Sequence, residues 1–81
     1  MNSETMPTSR TITLPNGERL RTATRRRYIA VAYPRPGVDG RPEILRRSDD
    51  PTVVRRTVEA HGTTPSRTAV AIDLATDEVL G

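Results

Sequence analysis

One stretch limits the folds open to this chain more than any other. Tyr28-Ile29-Ala30-Val31-Ala32-Tyr33 is the longest uninterrupted apolar run in its 81 residues. It falls far short of the ~20 residues that a membrane-spanning helix needs. Its β-branched and aromatic side chains suit a pleated, half-buried surface. Arg25-Arg26-Arg27 bounds it on one side and Pro34 on the other, so it reads as a β-strand.

Other apolar residues are sparse. Val, Ile and Leu supply 16 of 81 residues, and Phe and Trp are absent. Aliphatic content near a fifth is close to the level at which strongly charged chains stay disordered. The net charge is only +3, however, so self-repulsion is mild and one folded domain with a small aliphatic core is expected. Such a short domain buries only about 60% of its unfolded surface, and homodimerisation is one way to supplement it. Cysteine is absent, which excludes disulfides, thiolate metal sites and thiol nucleophiles. A small domain without such staples fits the cytoplasm. Met1 to Pro7 carries neither a basic nor an apolar segment and does not read as a signal peptide. Residues 1–10 are expected to be a disordered leader, and residues 11–81 a single small α+β domain.

Along the chain, Ile12, Leu14 and Leu20 alternate with polar residues around Asn16-Gly17, a turn signal that predicts a hairpin. After a Pro- and Gly-rich loop over 34–42, residues 43–47 read as a short returning strand. Ser48-Asp49-Asp50 offers capping oxygens and Pro51 suits the first helical position. Val54, Val58 and His61 fall on one side of the predicted helix, and Gly62 ends it. In the tail, Val70, Ile72 and Leu74 alternate with polar or small residues, predicting strand-turn-strand. Ala69, Ala71 and Ala75 speak for a helix there instead. The expected architecture is α+β: a small antiparallel sheet of four to five strands in the order β-β-β-β-α-β, with a short final strand as an option. The second and third strands could be one long bent strand. A single helix packs on one face, and the uncovered face is where function would sit.

All thirteen cations are arginine. The planar guanidinium fork suits phosphates and carboxylates, although GC-rich codon usage also favours Arg over Lys, so location counts for more than type. Residues 10–27 hold six Arg against Glu18, and residues 68–81 hold Asp73, Asp77 and Glu78 with no cation. The chain is basic early and acidic late. On an extended strand Arg19 and Arg21 share a face, which Arg25 and Arg27 would prolong. Continued further, the same parity would place Ile29, Val31 and Tyr33 on the basic face, so a turn or bulge is expected between Thr22 and Arg27. With Arg26, these residues form a candidate phosphate-tracking strip whose binding would depend steeply on salt. Arg55 and Arg56 on the helix would support it, beside Arg46 and Arg47. The plainer reading of such a strip is a solvated polar face. In element order alone, residues 25–62 resemble the sheet-and-helix domains at the N-termini of some tyrosine recombinases; the resemblance carries no residue roles.

Signs of other chemistry are weak. Tyr28 and Tyr33, five residues apart on a strand, point to opposite faces and make a poor stacking platform. Asp73, Asp77 and Glu78 lack the spacing of a calcium loop. His61 has no companion nucleophile in a Gly-x-Ser-x-Gly setting, and no glycine loop links a strand to a helix start. The expected function is a non-enzymatic binding module without a cofactor. It would be a nucleic-acid-associated accessory protein, or would dock an acidic protein surface. The alternative is a protein-interaction or inhibitor module, a small regulator of mobile-element type, acting through an exposed strand edge or self-association.

Overall fold

The computed structural model describes residues 8–80, with side chains from Ser9 onward. Its elements are β1 (Thr8–Thr13), β2 (Arg19–Thr24), β3 (Tyr28–Pro34), β4 (Glu43–Ser48), α1 (Pro51–His61), β5 (Arg67–Asp73) and β6 (Glu78–Val79). This is the expected α+β order, including the short final strand. Strand β1 begins at Thr8, so residues 8–10 belong to it, while the rest of the expected leader lies outside the described residues.

The strands divide between two antiparallel sheets, a β1-β2 ribbon and a four-stranded sheet in the order β4-β3-β5-β6. The ribbon turns through Leu14-Pro15-Asn16-Gly17. The Gly17 N–H donates to the Leu14 carbonyl at 2.9 Å, and the Leu14 N–H to the Glu18 carbonyl at 2.7 Å. Gly17 takes the positive φ of 88° that this three-residue loop requires. Arg25, Arg26 and Arg27 then bend away from the ribbon before β3 starts. The break predicted between Thr22 and Arg27 is therefore real, and β2 and β3 are separate strands in different sheets.

Strand β3 occupies the interior of the larger sheet because it carries the longest run apolar on both faces; β5, with Ala69 to Ile72, is the other interior strand. It pairs with β5 from Tyr28↔Asp73 to Pro34↔Arg67. It pairs with β4 through a register shift between Ala30 and Val31 that leaves Leu45 as an extra residue. The helix begins where its sequence signals place it. Asp50 caps it by accepting from the Thr52 N–H at 2.9 Å, Pro51 is its first residue, and the Gly62 N–H closes on the Val58 carbonyl at 3.0 Å. The tail forms strand, turn and strand, with Asp73 opposite Glu78.

Two apolar clusters hold the layers together. On one face of the sheet Ala30 and Ala71 are buried under Val54, with Tyr28, Leu45, Val58 and Leu80 packed around them. On the other face Ile29, Val31, Tyr33, Ile72 and Leu74 meet Ile12 and Leu14 from the ribbon, flanked by Leu20, Ile44 and Val70. The expectation of an uncovered sheet face is corrected here. The ribbon covers the face opposite the helix, because Ile12, Leu14 and Leu20 supply an apolar side that needs burial and the sheet offers the complementary surface. The two tyrosines point to opposite faces, Tyr33 into the ribbon-side cluster and Tyr28 against the helix-side one.

Candidate functional site

With both faces of the main sheet covered, the exposed side of the ribbon becomes the open strand surface. In the β1-β2 register Ile12 faces Leu20, and Arg10 faces buried Thr22. These pairs alternate with Ser9↔Ala23, Thr11↔Arg21 and Thr13↔Arg19. Strand alternation sends this second set outward, and all of its members are exposed. The outward face therefore carries hydroxyls, one methyl and two guanidiniums, and no carboxylate. The Arg21 Nε lies 3.4 Å from the Ser9 hydroxyl across the ribbon.

The remaining arginines of the expected strip do not join this face. Arg25, Arg26 and Arg27 sit in the bend that joins the two sheets. The stripe is not continuous because the chain leaves the ribbon at this bend to enter β3 in the other sheet. Arg27 grips Asp73 through two parallel bonds, Nε to Oδ1 and Nη2 to Oδ2, each 3.0 Å. Its guanidinium carbon also lies 5.2 Å from the Tyr28 ring centroid. Arg26 donates to Asp49 at 2.8 Å, and the Arg27 N–H donates to the other oxygen of that carboxylate at 2.9 Å. Arg25 makes no hydrogen bond among the described residues. Arg55 and Arg56 lie on α1, on the far side of the main sheet from the ribbon. Arg55 donates to the Leu80 carbonyl at 3.2 Å, and Arg56 is exposed.

The ion pairs perturb their members in the direction expected of a charge-assisted contact. Asp73 is held below the ordinary carboxylate value, first by the Arg27 hydrogen bond, against an opposing push from burial. Asp49 is lowered chiefly by the bond from Arg26, then by the Arg27 backbone N–H. Arg27 is raised by the same contact with Asp73.

Arg10 is the participant that strip reasoning overlooked. It shares the inward side of the ribbon with Ile12 and Leu14, and its guanidinium reaches the Leu74 carbonyl and the Asp77 carboxylate. The signal was available. Arg10 has the parity of the apolar residues, and the acidic tail has no cation of its own to pair with. The polarity of the chain is thus spent partly inside the fold, with early arginines bonded to late aspartates.

Comparison with protein families, curated proteins and solved structures finds no match. Among the described residues no three His, Asp or Glu side chains converge, and no helix is long and apolar enough to cross a membrane. His61 Nδ1 faces the Gly62 carbonyl at 2.7 Å, a contact at the helix end and not with a carboxylate.

Proposed function

We propose that this protein is a non-enzymatic binding module that lays the outer face of its β1-β2 ribbon on duplex nucleic acid. The observation that carries the reading is the composition of that face: Arg19 and Arg21 stand exposed among Ser9, Thr11 and Thr13, with no carboxylate on the same face among the described residues. Guanidiniums and hydroxyls are the groups that contact phosphate oxygens. A two-stranded ribbon also fits the width of the B-form major groove. The reading is narrower than the full strip, since Arg25, Arg26 and Arg27 sit in the bend and not on this face, and Arg55 and Arg56 lie on another side. It includes no cofactor, and a cytoplasmic setting, which the cysteine-free sequence supports.

Gel-shift titration at low salt tests it. Retardation of duplex DNA is expected, with affinity falling as salt rises. The double variant Arg19→Gln/Arg21→Gln should lower the salt slope by about one unit per lost phosphate contact. Arg55→Gln/Arg56→Gln should leave it unchanged. Absence of retardation at tens of micromolar protein, or equal binding by the ribbon variant, refutes the reading.

One observation favours a second reading, a protein-interaction or inhibitor module that can also pair with its own copy. Strand β4 is at the sheet edge, with Ile44 and Leu45 half-buried. Such an edge can accept a partner strand, although Arg46 and Arg47 on it discourage indiscriminate pairing. Light scattering decides the self-pairing form: a monomer at every concentration and salt counts against it.

A further inference from the structure

The bend between the two sheets opens into a cleft of about 250 Å³. Four arginines surround it, Arg10 from β1 and Arg25, Arg26 and Arg27 from the bend itself. Leu74 and Ala75 of the β5-β6 turn close another side. We infer that this cleft is an oxyanion site that takes a phosphate or pyrophosphate group, separate from the outer face of the ribbon.

The inference rests on which donors are already used and which are not. Asp73, only 8% exposed at its side chain, is fixed between Arg27 and the Ala75 N–H, so it stays in place. Asp49 and Asp77, which hold Arg26 and Arg10, are 58% and 59% exposed. Exposed pairs of this kind contribute little and exchange readily with solvent ions. Arg25, at the cleft, has no carboxylate partner among the described residues and is the uncompensated charge of the group. A guanidinium offers five N–H donors. Arg25 therefore brings a full set, Arg26 keeps its Nε and Nη2, and Arg27 keeps its Nη1 beside the pair it makes with Asp73. Three planar forks lining one concavity, each with N–H donors left over, match the several acceptor oxygens of a phosphate better than a single carboxylate does. Asp49 competes for Arg26, which makes it a negative determinant of affinity.

Calorimetric titration of the full chain with inorganic pyrophosphate at low ionic strength tests this, with sodium chloride of matched ionic strength as the reference. Binding is expected above the chloride reference. Arg25→Gln should weaken it about tenfold, the loss of a charge-assisted hydrogen bond. Its melting curve should be unchanged, since that side chain bonds to nothing among the described residues. Asp49→Asn keeps an oxygen for the Arg27 N–H but releases Arg26, so pyrophosphate should bind severalfold more tightly. The ribbon variant Arg19→Gln/Arg21→Gln should bind pyrophosphate as the parent does, which holds even if duplex binding fails. A duplex arm identifies the source of the phosphate. If Arg25→Gln weakens duplex and pyrophosphate together, the cleft takes a backbone phosphate; if it weakens pyrophosphate alone, the cleft takes a free phosphate ligand. Pyrophosphate no better than chloride, or Arg25→Gln indistinguishable from the parent, overturns the inference.

Discussion

Thr22 is the residue whose replacement should improve this protein. It lies on the inward side of the ribbon opposite Arg10, is 3% exposed, and its Oγ1 has no hydrogen-bond partner among the described residues. A buried hydroxyl that has lost water and gained nothing costs about 1–3 kcal/mol. Thr22→Val keeps the β-branched shape, replaces the hydroxyl with a methyl of similar size, and places a better strand former in β2. Taking the low end of that range, the variant should gain about 1 kcal/mol. For a domain of this size that corresponds to a rise in Tm of roughly 4–8 °C, and to a urea midpoint higher by about 0.5–1 M. The companion Thr22→Ser separates the two groups. It keeps the orphan hydroxyl and deletes the methyl, so it should lose about 1 kcal/mol. Paired urea denaturation of the two variants reads both effects. A destabilised Thr22→Val would refute the reasoning, because it would mean that the hydroxyl has a partner worth more than its desolvation.

Two further outcomes follow from the packing and the ion pairs. Val54 is fully buried under the sheet, and Val54→Ala should cost about 2 kcal/mol in denaturant unfolding; a neutral result would mean that α1 packs more loosely than described. Asp73 and Asp49 are both lowered in the folded state, so their contribution is complete above the ordinary carboxylate range and is lost as pH falls through their folded values. Melting temperature measured from neutral to strongly acid pH should therefore fall. Asp73→Asn should flatten that fall, and an unchanged acid profile in the variant would remove the Arg27–Asp73 pair from the account.

The elements were legible because each carried a local signal. Asp50-Pro51 and Gly62 marked both ends of the helix, Gly17 marked the ribbon turn, and alternation at Val70, Ile72 and Leu74 outweighed the alanines of the tail. The layering was not legible. Nothing in Ile12, Leu14 and Leu20 says whether their side joins the main sheet by backbone pairing or covers it face to face. That choice depends on the bend at Arg25–Arg27, where Arg27 bonds to Asp49 through its backbone N–H and to Asp73 through its side chain. The same aspartates draw Arg26 and Arg27 away from the face that Arg19 and Arg21 share. Strand parity correctly put Arg19 and Arg21 together, but it has no means of anticipating that Arg26 and Arg27 find aspartates 23 and 46 residues away.

The ribbon is seated on the sheet by a shared apolar cluster and by the bonds of Arg10 to the β5-β6 turn, without a shared ladder among the described residues. Its tilt therefore depends in part on the volumes beneath it. Enlarging or trimming Leu14, Leu20 or Val70 would re-aim Arg19 and Arg21 without altering either one, so the hidden side of the layer offers a route to retune what its visible side can reach.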